Sequence, residues 1–432
     1  MTKPQPHDPW TPSDEGDHFP IMREWWTIET IFTSRRDQRK WALMSSFGFE
    51  GETPSCFFQY TLFDVTGQQR CILQKSINDN PAKLTHVKDR VDVHYEQSFI
   101  TGRHPQYQVR IADEPAGLRA DLTYQAVALP RWVAQDITNG SLPIGLNNYR
   151  YGFNPHSHVT GTLHLNGEDI EVDGVGYYEH IWGNWSYSNP FRLLADVSKT
   201  LGIYSRILLW WLAQHRPRIP RRLSFASENN MFGYDWTWGV CDNGWSLFYG
   251  NSLFWLREGP AAGLLIISPD GRTYWEIGDL TFRYLQTQYI EEYDVSYPRA
   301  LEIQGTYQDK TIRLQFTPTT ASDVYISPNA VNRFYKAFIL TQQAGRIQGT
   351  VTSHGTTTVL TGDCKIENMR QAPVLGHSAL DLEITTPPAG IGITKTLTSH
   401  RLGKQLTACL QLTPRPHASF RLHTLKKTGR KS

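Results

Sequence analysis

Val159-Thr160-Gly161-Thr162-Leu163-His164-Leu165-Asn166-Gly167-Glu168-Asp169-Ile170-Glu171-Val172 reads as two short strands, Val159 to Leu165 and Ile170 to Val172, joined by an Asn-Gly turn. Asn-Gly between alternating runs is the strongest short-range hairpin signal, because a type I′ turn needs φ > 0 at both central residues. Outward from this hairpin the same punctuation recurs. Cys56 to Val65 ends at Thr66-Gly67 with Arg70 to Ser76 as its partner, and Tyr107 to Ala112 and Leu118 to Leu129 flank Asp113-Glu114-Pro115. Further on, Asp242-Asn243-Gly244, Pro269-Asp270-Gly271 and Gln308-Asp309-Lys310 each sit between alternating runs. Hairpins at such near-regular spacing predict an all-β fold of antiparallel barrels or sandwiches. No repeat of 20 to 50 residues stands out, though the pattern is compatible with a weak duplication of one barrel.

Composition sets the outer limits. At 432 residues the natural expectation is two domains, each with a real core. With 43 basic and 41 acidic residues the net charge is only +2, which argues against nucleic acid as a partner. Basic residues gather only in Arg216 to Arg222 and in the tail Lys426-Lys427 to Lys431. Cys56, Cys71, Cys241, Cys364 and Cys409 are odd in number and widely spaced. They support neither a zinc site nor a disulfide framework, which fits a reducing compartment. Met1 to Pro20, rich in Pro, Asp and His, has no apolar core and is expected to be a disordered lead-in rather than a signal peptide. The expected location is therefore cytoplasmic. The 14 Trp, 20 Tyr and 19 Phe suit half-buried sheets and equally a pocket for an apolar ligand.

One stretch departs from the strand pattern. In Pro190 to Gln214 the apolar residues Leu193, Leu194, Val197, Leu201, Ile203, Tyr204, Ile207, Leu208 and Trp211 recur at helical steps. The apolar run Ile207 to Leu212 is far short of the ~20 residues that span a bilayer. Followed by Arg216, Arg218, Arg221 and Arg222, residues 190–222 could lie on a membrane surface as an interfacial helix. The favoured reading is a helix packed across a barrel mouth, with a solvated basic loop after it.

Three local motifs carry chemistry. Glu24-Trp25-Trp26 opens the first strand; a Glu there is costly to bury unpaired, so an exposed carboxylate is the expectation. In Gly174-Val175-Gly176-Tyr177-Tyr178-Glu179-His180-Ile181-Trp182-Gly183, alternation puts Tyr177, Glu179 and Ile181 on one face and Tyr178, His180 and Trp182 on the other. The flanking glycines suit a bulge or a close backbone approach. Gly233-Tyr234-Asp235-Trp236-Thr237-Trp238-Gly239 is a third strand, leading into the Asp242-Asn243-Gly244 turn.

Together these motifs resemble the family of carotenoid hydratases (hydroxyneurosporene synthase), kievitone hydratase and lipocalin-like Diels–Alderases. That family opens with Glu-Trp-Trp, carries Gly-x-x-Tyr/Trp-x-Asp-His-x-Trp-Gly near the end of its first domain, and has an Asp-Trp-x-Trp segment before the second. The resemblance is motif-deep from about Arg23 to Gly244 and rests on strand pattern beyond residue 258. It implies two lipocalin-like domains with an apolar cavity near their junction, here residues 21–257, with the helical insert at about 190–214, and residues 258–425. Residues 426–432 are left as a basic tail. It also implies Glu179, in place of the family's Asp, and Tyr177 as catalytic residues. The upstream stretch Tyr149-Arg150-Tyr151-Gly152-Phe153-Asn154-Pro155-His156 lacks the Trp that the hydratases carry there.

The expected chemistry is hydration or cyclisation of an apolar isoprenoid-like or carotenoid-like alkene. A carboxylic acid has a pKa near ~4.3, so Glu179 must be kept protonated by burial to act at neutral pH. The expected catalytic residues are Glu179, Tyr177 and His180, with Glu24, Trp26, Tyr151, Phe153, Trp182, Asp235 and Trp236 around the substrate. Aromatic faces from Trp26, Trp182 and Trp236 would stabilise a carbocation. A pericyclase acting on a polyene and a non-catalytic carrier of an apolar ligand are the alternatives. His156, His158, His164 and His180 are of metal-ligand type, but the expected reading is of surface and hydrogen-bonding residues. No cofactor and no metal site are expected, and the chain is expected to be a monomer whose partner is an apolar small molecule.

Overall fold

A computed structural model of the chain describes residues 10–51, 54–186, 195–214, 222–226, 233–251, 255–256, 259–260, 263–328, 335–374, 378–384, 391–399, 404–412 and 418–425. The Asn166-Gly167 turn forms as the sequence predicts, with φ of 51° and 84°. It joins strands Asn147–Leu165 and Glu168–Asn184, which are 19 and 17 residues long and stay paired from Leu165↔Glu168 to Asn148↔Asn184. The left-handed conformation costs most side chains about 1–2 kcal/mol. Asn166→Val is accordingly expected to lower stability by about that amount, read as a lower urea midpoint at unchanged slope.

This hairpin lies inside an antiparallel sheet of 13 strands. Arg23–Thr33 pairs with Glu168–Asn184 on one side and with Lys40–Glu50 on the other. Beyond the other arm of the hairpin follow Leu118–Ala126, Gln106–Asp113, Ser98–Arg103 and Val91–Tyr95. The sheet curls, so that Phe58 near one edge stacks on Tyr95 near the other with ring centroids 5.3 Å apart. Its concave face encloses a core that includes Trp26, Ile28, Trp41, Phe47, Tyr107 and Tyr178.

A second antiparallel sheet, of 10 strands, repeats the plan. Tyr335–Ser353 and Thr356–Pro373 form its long hairpin, and Tyr234–Cys241 pairs with Thr356–Pro373 as Arg23–Thr33 does with Glu168–Asn184. Its own core gathers Leu247, Tyr249, Leu265, Ile303, Leu314 and Phe316. A third apolar layer, with Tyr177 and Ile181 from the first sheet and Trp236, Trp238 and Phe248 from the second, lies between the two. The chain is thus all-β with two lipocalin-like halves. Sheet membership changes between Asn184 and Tyr234, ahead of the 257/258 junction read from the sequence. Arg222–Ala226 pairs with Ser378–Ile384 in a further five-stranded sheet.

The helix runs Val197–Gln214, inside the predicted stretch. It buries Thr200 and Ile203, and Asn148 Nδ2 donates to Thr200 Oγ1 at 3.1 Å. Trp210 covers Gly278 of the second half, where a Cβ would lie 2.3 Å from the indole. Leu201, Leu208, Leu209 and Leu212 point outward and are exposed. No helix among the described residues is long and apolar enough to cross a membrane. The basic run Arg216 to Arg221 lies outside the described residues.

Residues 10–20 correct the expectation of a disordered lead-in. Trp10 packs against Trp132 at 4.8 Å, and Glu15 is fully buried, accepting from Tyr107 Oη at 2.6 Å and from Trp10 Nε1 at 3.1 Å. A segment without an apolar run is held here by polar groups whose partners lie elsewhere in the chain.

Candidate functional site

The alternation read from Gly174 to Gly183 is realised. Tyr177 and Ile181 face the layer between the sheets, with Glu179 between them, whereas Tyr178 faces the first core. The glycines permit close approach: a Cβ on Gly174 would sit 2.3 Å from the Ile31 carbonyl oxygen, and one on Gly176 2.4 Å from the Tyr124 ring. Phe153 is directly opposite Glu179 in register, and Tyr151 is opposite Ile181.

Glu179 is buried, and both neighbouring phenols serve it. Tyr177 Oη donates to Glu179 Oε2 at 2.9 Å, Tyr151 Oη donates to the same oxygen, and the two phenol oxygens are 2.9 Å apart. Trp236 Nε1 donates to Tyr151 Oη at 2.9 Å, so the second half of the chain completes the group. Around it, Trp236 meets the Tyr177 ring edge-on at 5.3 Å, Trp238 stacks on Tyr177 at 5.3 Å, and Phe248 lies 4.8 Å from Phe153. Burial is the main force on the carboxyl and raises its pKa from 4.5 to about 7; Glu29 and Glu367 push the same way, against the two phenols. Burial likewise holds the Tyr151 and Tyr177 phenols far above their ordinary value, so they remain neutral donors.

Behind this group lies a charged array that spans both sheets. Lys365, on Thr356–Pro373, donates to Glu29, on Arg23–Thr33, and lies 2.7 Å from Glu367. Trp238 Nε1 also donates to Glu29, Tyr234 Oη donates to Glu367 at 2.7 Å, and Lys365 Nζ sits 5.0 Å from the Trp236 ring centroid. Burial works against the Lys365 charge, but Glu29 and Glu367 outweigh it and hold its pKa above the ordinary value. Two carboxyls for one ammonium leave the surroundings of Glu179 unfavourable to a further negative charge.

The residues expected to share one site divide into separate groups. Tyr177, Glu179, Tyr151, Phe153 and Trp236 come together. Glu24, Trp26, His180 and Trp182 do not join them. Trp26 packs in the first core and stacks on His180 at 4.7 Å, Trp182 lies 4.6 Å from His180, and His180 contacts Glu24 at 2.8 Å. Glu24 is fully buried rather than exposed, because residues 14–18 fold over it. Asp235 points into the second half, where Arg370 and Tyr284 donate to it and Asn251 Nδ2 donates at 3.1 Å. His158 and His164 pair with Asp173 and Asp169 at the surface. The strand irregularity between Asn154 and Ser157 separates His156 from their alternation.

The chain matches no protein-family model and no curated protein sequence. Two solved structures are similar along most of its length. One is a Nitrosomonas europaea protein described as a candidate AttH, with 15% identity over 85% of this chain and 99% of that chain and a TM-score of 0.55. The other is kievitone hydratase from Nectria haematococca, with 13% identity over 84% of this chain and 98% of that chain and a TM-score of 0.53. At these identities the likeness is one of fold. The two-sheet fold of this chain is shared with kievitone hydratase, a protein of the same group that its Glu-Trp-Trp and Glu-His motifs resemble.

Proposed function

We propose that the protein is a cofactor-independent hydratase or cyclase that protonates an apolar, isoprenoid-like alkene, with Glu179 as the acid. The observation that carries this reading is a carboxyl buried among aromatic rings and held by two phenols, with a pKa raised to about 7 by burial. A general acid works best when its pKa lies near the operating pH. Both phenols converge on Oε2, so Oε1 is the oxygen left to carry the transferable proton. The alkene π pair takes that proton and forms a C–H bond, leaving a tertiary cation at the neighbouring carbon. Water adds to the cation and returns a proton to the Glu179 carboxylate, which closes the cycle. Attack by a second alkene instead forms a ring C–C bond and moves the cation to that alkene, whose neighbouring carbon then loses a proton to the Glu179 carboxylate. The rings of Trp236, Tyr177 and Phe248 pack around the Glu179 and Tyr151 group, so a cation formed beside the acid would meet their faces, and a desolvated cation–π contact contributes about 2 kcal/mol.

The hydratase among the proteins of this fold agrees with the reading. A pericyclic role is the second reading, favoured by the paired phenols, which could donate to a substrate carbonyl. The test is native mass spectrometry of the purified protein and of Glu179→Gln. An apolar alkene hydrated or cyclised by the wild type and held intact by the variant supports acid catalysis. The same unmodified ligand in both proteins would replace it with a carrier role.

The phenols make a separate prediction. Tyr151 and Tyr177 hydrogen bonds lower the Glu179 pKa against burial. Tyr151→Phe is therefore expected to raise it, so the alkaline limb of the pH–rate profile moves to higher pH. A limb that stays in place or moves down would show that Tyr151 does not act on the acid.

A further inference from the structure

Two motif residues, Glu24 and His180, are left unused by an acid at Glu179, and both are fully buried. They meet His18 of the N-terminal segment. His180 Nε2 and His18 Nδ1 each lie 2.8 Å from Glu24 Oε1, and the ligating atoms of all three residues fall within 4.8 Å of one another. The other nitrogen of His180, Nδ1, is 2.8 Å from the backbone oxygen of Asp14. A backbone carbonyl only accepts, so the proton of a neutral imidazole is taken up at Nδ1 and the Nε2 lone pair is aimed at the carboxylate. An Nδ1–H tied to a backbone carbonyl is the outer-shell arrangement that orients Nε2 toward a metal ion. Trp182 stacks on His18 at 3.8 Å and Trp26 on His180 at 4.7 Å, which fixes both ring planes.

We propose that His18 Nδ1, Glu24 and His180 Nε2 bind one divalent zinc-type metal ion. Two imidazoles and one carboxylate are a ligand set that zinc accepts, with a fourth position left for water. Metal–ligand bonds of about 2.0–2.2 Å would place the ligating atoms about 3.4 Å apart, so the two 2.8 Å contacts to Glu24 open by about 0.6 Å and the two imidazole nitrogens, within 4.8 Å of each other, take up the same spacing. The ion would join three separate pieces of chain: the segment before the first strand, the start of Arg23–Thr33 and the C-terminal part of Glu168–Asn184. Its place on the opposite face of the sheet from Glu179 makes it a clip for residues 10–20 and not part of the acid site. The competing occupant is a second proton, which would make His180 an imidazolium paired with Glu24.

The full chain, dialysed against a chelator, would be titrated with Zn²⁺ by calorimetry and with Co²⁺ by visible absorption. One Zn²⁺ per chain is expected, with Co²⁺ bands of tetrahedral intensity and an affinity that falls as pH is lowered, because the ligands must be deprotonated. His18 is partly exposed, so His18→Ala should fold. It is expected to weaken Zn²⁺ binding by more than the roughly 10–100-fold typical of losing an outer-shell partner. His158→Ala, in a surface pair with Asp173, should leave binding unchanged, and Glu24→Gln should repeat the His18→Ala result. No stoichiometric Zn²⁺ on the wild type, or equal binding by His18→Ala, would overturn the proposal and leave the second proton as the occupant.

Discussion

Glu179→Gln is expected to abolish turnover and, above pH 7, to make the protein more stable. Gln keeps the shape and can still accept from Tyr151 and Tyr177. It has no transferable carboxylic proton, and general acids contribute about 10²–10⁴-fold to rate even where other proton sources exist. Protonation of an isolated alkene has no such substitute in this apolar layer, so a loss of at least 10³-fold is expected. The stability effect has the opposite sign. The carboxyl pKa is 4.5 in the ordinary case and about 7 in the folded chain, so the folded state holds this proton more tightly than the unfolded one. Its contribution is fully present below the unfolded pKa and is lost as pH rises through the folded pKa. At about 1.4 kcal/mol per pH unit, the cost above pH 7 is on the order of 3 kcal/mol. Urea unfolding at pH 5 to 8 should show the variant and wild type converging at low pH and separating, in favour of the variant, as pH rises. A pH-independent difference would mean that Glu179 titrates normally.

Lys365→Met is expected to cost about 3–5 kcal/mol, the range for breaking a buried ion pair from one side. Lys365 is 3% exposed and Glu29 1%, so neither water nor salt can replace the missing charge. Part of the loss should be recovered in the double variant Lys365→Met with Glu29→Gln, because it removes the more buried of the two carboxylates that Lys365 serves, Glu367 being the other. Glu29 belongs to the first sheet and Lys365 to the second, so the same cycle measures coupling between the two halves. A double-variant effect equal to the sum of the Lys365→Met and Glu29→Gln effects would show that the pair carries no coupling energy.

Much of the fold was legible because its information is local. Asn166-Gly167, Asp242-Asn243-Gly244 and Pro269-Asp270-Gly271 each join neighbouring antiparallel strands. Alternation puts Tyr177 with Glu179 and sets His180 and Trp182 on the other face, as their contacts with each other and with Trp26 bear out. The sequence reading does not single out Glu29, Lys365 or Glu367, although Glu29 is a lone charge within the apolar run Trp25 to Phe32 and that is a signal. Their meaning depends on a contact 336 residues apart, which no local period reveals. The sequence predicts an exposed Glu24 for the same reason: His18 and His180, which bury and satisfy it, arrive from other segments. Composition read residues 1–20 as a disordered lead-in, yet Glu15, Asp17 and His18 in its described part anchor through polar contacts to Tyr107, His86 and Glu24.

The central claim is that Glu179 is a neutral acid near physiological pH. Infrared difference spectroscopy of the wild type between pH 5 and 9, with Glu179→Gln as the blank, isolates the protonated carboxyl C=O stretch of this residue. A band present at pH 6, absent from the variant and half-lost close to pH 7 is the result expected here. A carboxyl already ionised at pH 6 would contradict it and remove the proton source on which the proposed chemistry depends.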